Sequence, residues 1–148
     1  MIGYHRSLLI DNSAWSRLLD GRLAGAHRKT FEAALTAGQL WTCPPTLLEM
    51  RYSALDERGF ALTAGRLDAL PHAPLTAEAA ARALTAQTEL AVAAGVSHRV
   101  KPVNLLIAAV AASEGLGVLH YDRDYDAIAE HTSLSFPSVW IAPRASLG

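Results

Sequence analysis

The sequence predicts an α/β protein, a three-layer α/β/α sandwich around a mostly parallel sheet, built as a single domain over residues 1–148. Three observations carry that expectation. Short apolar runs alternate with longer helical segments along the whole chain. Acidic or amide residues follow those runs or open the helices, at the edge where an open parallel sheet places its site. The composition, 51% hydrophobic and 18% charged, supplies one real core and too few charges for a disordered chain. No repeat, low-complexity segment or interdomain linker interrupts the pattern.

The elements follow in order. Ser7–Ile10 is a short apolar run that stops at Asp11, the signature of a strand buried on both faces. Asp11-Asn12-Ser13 offers capping side chains for a helix continuing through Ala14–Leu19. Ala24–Ala37 is a second helix, ended by Gly38. Gln39–Cys43 is a short strand that Pro44-Pro45 cannot prolong. Thr46, with Glu49 three residues on, has the spacing of a capping box. Leu55–Leu70 is a helical segment interrupted by Gly59. Pro71–Leu75, with two prolines, suits an edge strand or an irregular crossing. Thr76 caps a long alanine-rich helix that should end near Gly95.

Ser97–Lys101 is a basic loop holding His98, Arg99 and Lys101, either a solvated turn or a contact for substrate phosphate. Pro102 suits a helix start, and Asn104 lies in that helix's first turn. Gly115 and Gly117 free the chain to turn into a strand centred on Val118–Leu119. Three aspartates follow: Asp122, Asp124 and Asp126. Tyr125–Glu130 is a short helix, Ser138–Ile141 a last strand with Trp140 packing, and Ala142–Gly148 a loose tail.

Composition also excludes. A net charge of -1 gives no global basic field to recruit nucleic acid, so any RNA contact must use a local patch or a bound metal. The one cysteine, Cys43, rules out an internal disulfide framework and reads as a small residue near a strand end. No apolar run suits a bilayer span, and Met1–Ser7 lacks the core of a signal peptide, so a soluble cytoplasmic protein is expected.

Asp11, Glu49, Asn104, Asp122 and Asp124 all fall at strand ends or helix starts. Carboxylates gathered there repel, and a divalent cation removes the repulsion. Oxygen donors without a matching cysteine or histidine set favour Mg²⁺ or Mn²⁺ over zinc. Such an ion lowers the pKa of a bound water and neutralises a phosphodiester under attack, the chemistry of a metal-dependent nuclease.

The residues also resemble a known family. LLIDNSAW at Leu8–Trp15, PPTLLEMRYSA at Pro44–Ala54, VNLLIAAVA at Val103–Ala111 and VLHYDRDYDAIA at Val118–Ala129 occur in the order found in PIN-domain ribonucleases, most closely the toxins of VapBC-type toxin–antitoxin systems. The resemblance implies a Mg²⁺- or Mn²⁺-dependent endoribonuclease, a homodimer, and a VapB-like antitoxin in the groove leading to the acids. It implies that Asp11 is a metal ligand and that Glu49 ligates metal or orients water. Asp122 is the acid after the fourth family strand, Asp124 an auxiliary ligand, and Ser13 a supporting polar residue. One position departs: Asn104 stands where the family usually has aspartate, which keeps an acceptor oxygen but loses the charge. His120 stands where many relatives carry serine or threonine, to contact RNA phosphate or to fill space. A binding module that holds RNA or antitoxin without cutting is the competing reading, supported by Asn104. A phospho-accepting receiver domain would need an acidic pair after the first strand and a lysine after the last, and neither is present.

Overall fold

The computed structural model describes residues 4–23, 25–93 and 99–147. The elements are β1 (Leu8–Ile10), α1 (Asn12–Leu19), α2 (Gly25–Thr36), β2 (Leu40–Trp41), α3 (Pro44–Tyr52), α4 (Glu57–Asp68), α5 (Ala77–Val92), α6 (Pro102–Glu114), β3 (Gly117–His120), α7 (Asp124–His131) and β4 (Ser138–Trp140). The four strands form one sheet in the order β2-β1-β3-β4, and every pairing is parallel. The sandwich expected from the alternation is therefore present, and the sheet is wholly parallel among the described residues.

Strand geometry divides the core in two. Side chains alternate across a strand. Leu9 and Val118 face α5, α6 and α7 in one cluster with Leu90, Ile107 and Ile128. Leu8, Ile10 and Leu119 face the other way, with Trp15, Phe31, Met50 and Leu67 from α1 to α4. Trp15 is thus core, and Trp41 is partly buried against the first cluster.

Several local expectations need correction. Thr46 does not cap α3. Pro44 opens that helix, Cys43 is the N-cap, and Thr46 Oγ1 accepts the Cys43 backbone N–H at 3.0 Å. Proline suits the first helical turn because no intrahelical donor is needed there, which moves the cap three residues upstream, from Thr46 to Cys43, and releases Glu49 from any capping duty. Asp56 caps α4, which runs through Gly59 without a break. The Pro71–Leu75 segment contributes one parallel bridge, Thr42 to His72, beyond β2.

Gly115 does adopt the left-handed conformation that ends α6, with φ 69°. Gly117 has a different job: a Cβ there would meet Leu8 Cδ2 at 2.5 Å and the Pro137 carbonyl at 3.1 Å, so its bare backbone permits close packing rather than a turn. The tail is not loose. Ile141 and Ala142 are buried, and the Leu147 N–H donates to the Tyr121 hydroxyl at 2.7 Å. The expected end of the long helix at Gly95, and His98, lie outside the described residues; α5 closes at Val92. No described helix is long and apolar enough to cross a membrane.

Candidate active site

Asp11 leaves β1 at its carboxyl end and caps α1. Its Oδ2 accepts the Ser13 backbone N–H at 2.9 Å and the Ser13 hydroxyl at 2.5 Å. Ser13 Oγ in turn accepts the Tyr121 N–H at 2.8 Å, which ties the end of β1 to the end of β3. The capping reading of Asp11 is therefore realised through one carboxylate oxygen, while the other, Oδ1, faces inward to Tyr125. Asp11 is 1% exposed, so that inward oxygen sits in a largely dry setting.

Tyr125, fully buried on α7, occupies the centre. Its hydroxyl lies 2.7 Å from Asp11 Oδ1 and 3.0 Å from Asn104 Oδ1. Burial, and secondarily the Asp11 charge, raise its phenol well above the ordinary range, so it is a committed proton donor. Asn104, buried in the first turn of α6, uses its other end on the acids. Its Nδ2 donates to Asp122 Oδ2 and Asp124 Oδ2, each at 3.1 Å. The structure thus links Asp11, Asn104, Asp122 and Asp124 through one hydrogen-bonded network.

Asp122 Oδ1 accepts the Asp124 N–H at 3.0 Å, fixing the turn into α7. Asp124 Oδ2 also accepts the Lys101 backbone N–H at 3.0 Å, and Lys101 Nζ stands 3.7 Å from Asp122 Oδ2. Lys101 is therefore at the rim of the acids, while Arg99 is exposed two residues earlier. Glu49, half-buried on α3, lines an apolar groove with Pro44, Leu48, Tyr52, Leu75, Val103 and Leu106. Burial raises its carboxyl pKa; the Asp11 and Asp122 charges add to that rise and Lys101 opposes it. Glu49 is thus within electrostatic reach of the other acids.

His120 is fully buried, which favours the space-filling alternative over a contact with RNA phosphate. Its Nδ1 accepts the Asp122 N–H at 3.1 Å, so the ring proton is on Nε2, which meets Ser138 Oγ at 2.7 Å. Ser138 donates onward to Asp126 Oδ1 at 2.6 Å. Burial pushes the imidazole down to about 4 against the opposing pull of Asp126, Asp11 and Asp122. Asp126 also accepts Trp140 Nε1–H at 2.9 Å, so the third aspartate of the run fastens β4 and leaves the site to its two neighbours. Cys43 is buried, and its thiol is pushed up to about 11, which suits packing and not nucleophilic attack.

The donor set suits a hard divalent ion. Asp122 Oδ2 and Asp124 Oδ2 converge on a common point, marked by the amide nitrogen of Asn104. Mg²⁺ is commonly held by one or two carboxylates together with water and substrate phosphate. Among the described residues no three His, Cys, Asp or Glu side chains form a ready ion cage. Position 104 carries an amide, and Asp11 joins it through the Tyr125 hydroxyl. Tyr125 is the site residue that sequence reasoning missed. The signal was an aromatic with a polar tip inside the acidic run DRDYD.

Comparison with known proteins identifies the family. The PIN domain family model matches residues 8–131. Ribonuclease VapC18 of Mycobacterium tuberculosis is 40% identical over 139 residues, covering 93% of this chain and 97% of the relative. Ribonuclease VapC51 of the same organism is 34% identical over 139 residues, covering 94% and 96%. A DNA-bound VapBC structure from Salmonella typhimurium superposes with a TM-score of 0.72 at 20% identity, covering 93% of this chain and 99% of that one, a likeness of fold. With a matching model across both strand-end acids and relatives of this identity along nearly the full length, the chain belongs to the PIN-domain family, among the VapC ribonucleases.

Proposed function

We propose that this chain is an endoribonuclease toxin that hydrolyses RNA phosphodiester bonds with Mg²⁺ or Mn²⁺ and is silenced by a VapB-like antitoxin. The observation that carries the reading is the convergence of Asp11, Asn104, Asp122 and Asp124 on one buried network at the carboxyl ends of β1 and β3. Its likeness to Ribonuclease VapC18 supports the substrate class.

In this reading Asp122 and Asp124 hold the ion, with Asn104 and Asp11 completing the set. The ion, when bound, supplies an acidified water and offsets charge on the phosphodiester. Ser13 holds Asp11 in place. Glu49 orients the attacking water and takes its proton, a role suited to a carboxyl whose pKa is raised toward the working pH. Lys101 and Arg99 contact the RNA backbone. The apolar groove beside Glu49, about 490 Å³, takes an antitoxin segment, and an arginine from it pairs with the acids in place of the ion. The assembly is a homodimer.

One observation favours a second reading, a module that binds RNA or antitoxin without cutting: the Asn104 amide already donates to both Asp122 and Asp124, where an ion would stand. Cleavage of total RNA with Mn²⁺, comparing this chain, Asp11→Ala and Asn104→Asp, separates the two. The enzyme reading requires cleavage that Asp11→Ala abolishes. Cleavage absent from both this chain and Asn104→Asp, with RNA binding retained, establishes the binding module instead.

A further inference from the structure

The Tyr125 hydroxyl has one hydrogen and faces two acceptor oxygens, Asp11 Oδ1 at 2.7 Å and Asn104 Oδ1 at 3.0 Å. Only one of them can receive it. The shorter contact is to the carboxylate, the stronger acceptor. The Asn104 oxygen is then set against a phenol oxygen with no hydrogen between them. What holds the amide this way round lies at its other end, where both Nδ2 hydrogens meet carboxylates. The reverse orientation has the opposite balance. With Nδ2 toward Tyr125, the phenol oxygen accepts from Asn104 while its hydrogen goes to Asp11, and both contacts are satisfied. The amide oxygen then faces Asp122 and Asp124, a repulsive arrangement unless a cation stands among them.

We propose that Asn104 inverts its side-chain amide when a divalent ion enters, and that the Tyr125 hydroxyl is the positioning group that receives the inverted amide. The inference rests on the divalent-ion reading above. Asn104 serves as the neutralising donor in the metal-free protein and as an oxygen ligand in the loaded one. Tyr125 is suited to the exchange because it is fully buried and its hydroxyl can donate and accept at once.

The test is a Mg²⁺ titration of the full chain followed by nuclear Overhauser contacts from the Asn104 side-chain amide protons. Without metal, those protons contact the β-protons of Asp122 and Asp124. At saturating Mg²⁺ the proposal requires them to contact the Tyr125 ring instead. Amide protons that stay with the acids after Mg²⁺ has bound overturn the inversion but leave the metal site standing. A spectrum that Mg²⁺ does not perturb anywhere overturns both. Tyr125→Phe supplies a second measurement: it should weaken Mg²⁺ binding about tenfold, the worth of one buried hydrogen bond, in a chain whose melting temperature in chelator also falls because Asp11 Oδ1 loses its buried donor. Unchanged Mg²⁺ affinity in a folded Tyr125→Phe chain contradicts the positioning role.

Discussion

The Asp122 backbone N–H donates to His120 Nδ1, two residues back, at 3.1 Å. That bond requires a neutral ring, because a protonated imidazole has no lone pair to accept with. Folding therefore holds His120 neutral, at about 4, while an unfolded chain returns it to 6.5. Between those values the unfolded state binds the extra proton, so stability falls as pH falls through the window and is fully present above it. Chemical denaturation should show a loss of about 2 kcal/mol from about pH 7 to about pH 5, from this group alone. His120→Gln, which has no such proton to bind, should flatten that slope.

Asn104→Asp replaces two N–H donors with a carboxylate facing two others. In chelator the variant should be less stable than this chain by about 3 kcal/mol, the loss of two charge-assisted bonds. Mg²⁺ should reverse the order, because the added charge binds the ion more tightly, and metal-dependent RNA cleavage should rise. Thermal melts with and without Mg²⁺ check the crossing. Equal cleavage rates for both forms at saturating Mg²⁺ contradict direct contact between residue 104 and the ion.

Glu49→Gln keeps the size of the side chain and removes the carboxylate proposed as the base. RNA cleavage should slow by about 10²-fold or more, with RNA affinity little changed. In this chain the acidic limb of the rate profile should lie above the ordinary glutamate range, because burial and the Asp11 charge raise this carboxyl in the free protein. Single-turnover rates across pH check both statements.

Gly117→Ala places a methyl group against Leu8 and the Pro137 carbonyl. Leu8 must move its side-chain tip within a fully buried core, and the Pro137 carbonyl is held by the Val118 N–H, so the packing around both strands is strained. A loss of about 1–3 kcal/mol is expected by denaturant titration. Gly115→Ala probes something else: nothing lies near its Cβ, and its cost comes from the left-handed backbone.

The elements that position the acids were legible because each is local. Asp11 ends an apolar run, Asn104 follows Pro102, and Asp122 follows Val118–Leu119, so spacing alone placed them on one edge. What spacing could not show was direction. Asp126 belongs to the same run as Asp122 and Asp124 but turns to Ser138 and Trp140. His120 reads as a polar residue at a strand end, yet burial turns it into a prop for Asp122. Tyr125 sits at an apolar helix position, and only tertiary packing shows that its hydroxyl meets Asp11 from the far end of the chain. The α3 start was misjudged because Pro44-Pro45 carries two messages, stopping a strand and starting a helix, and only the first was used.

The sheet's two borders are β2, with two residues, and β4, with three. Borders this short offer few open backbone groups, and the Thr42–His72 bridge covers part of one of them. Growth of the sheet by annexing a strand from another molecule is therefore disfavoured. Contacts made instead through side chains on the helices can be retuned one residue at a time without disturbing the acids inside.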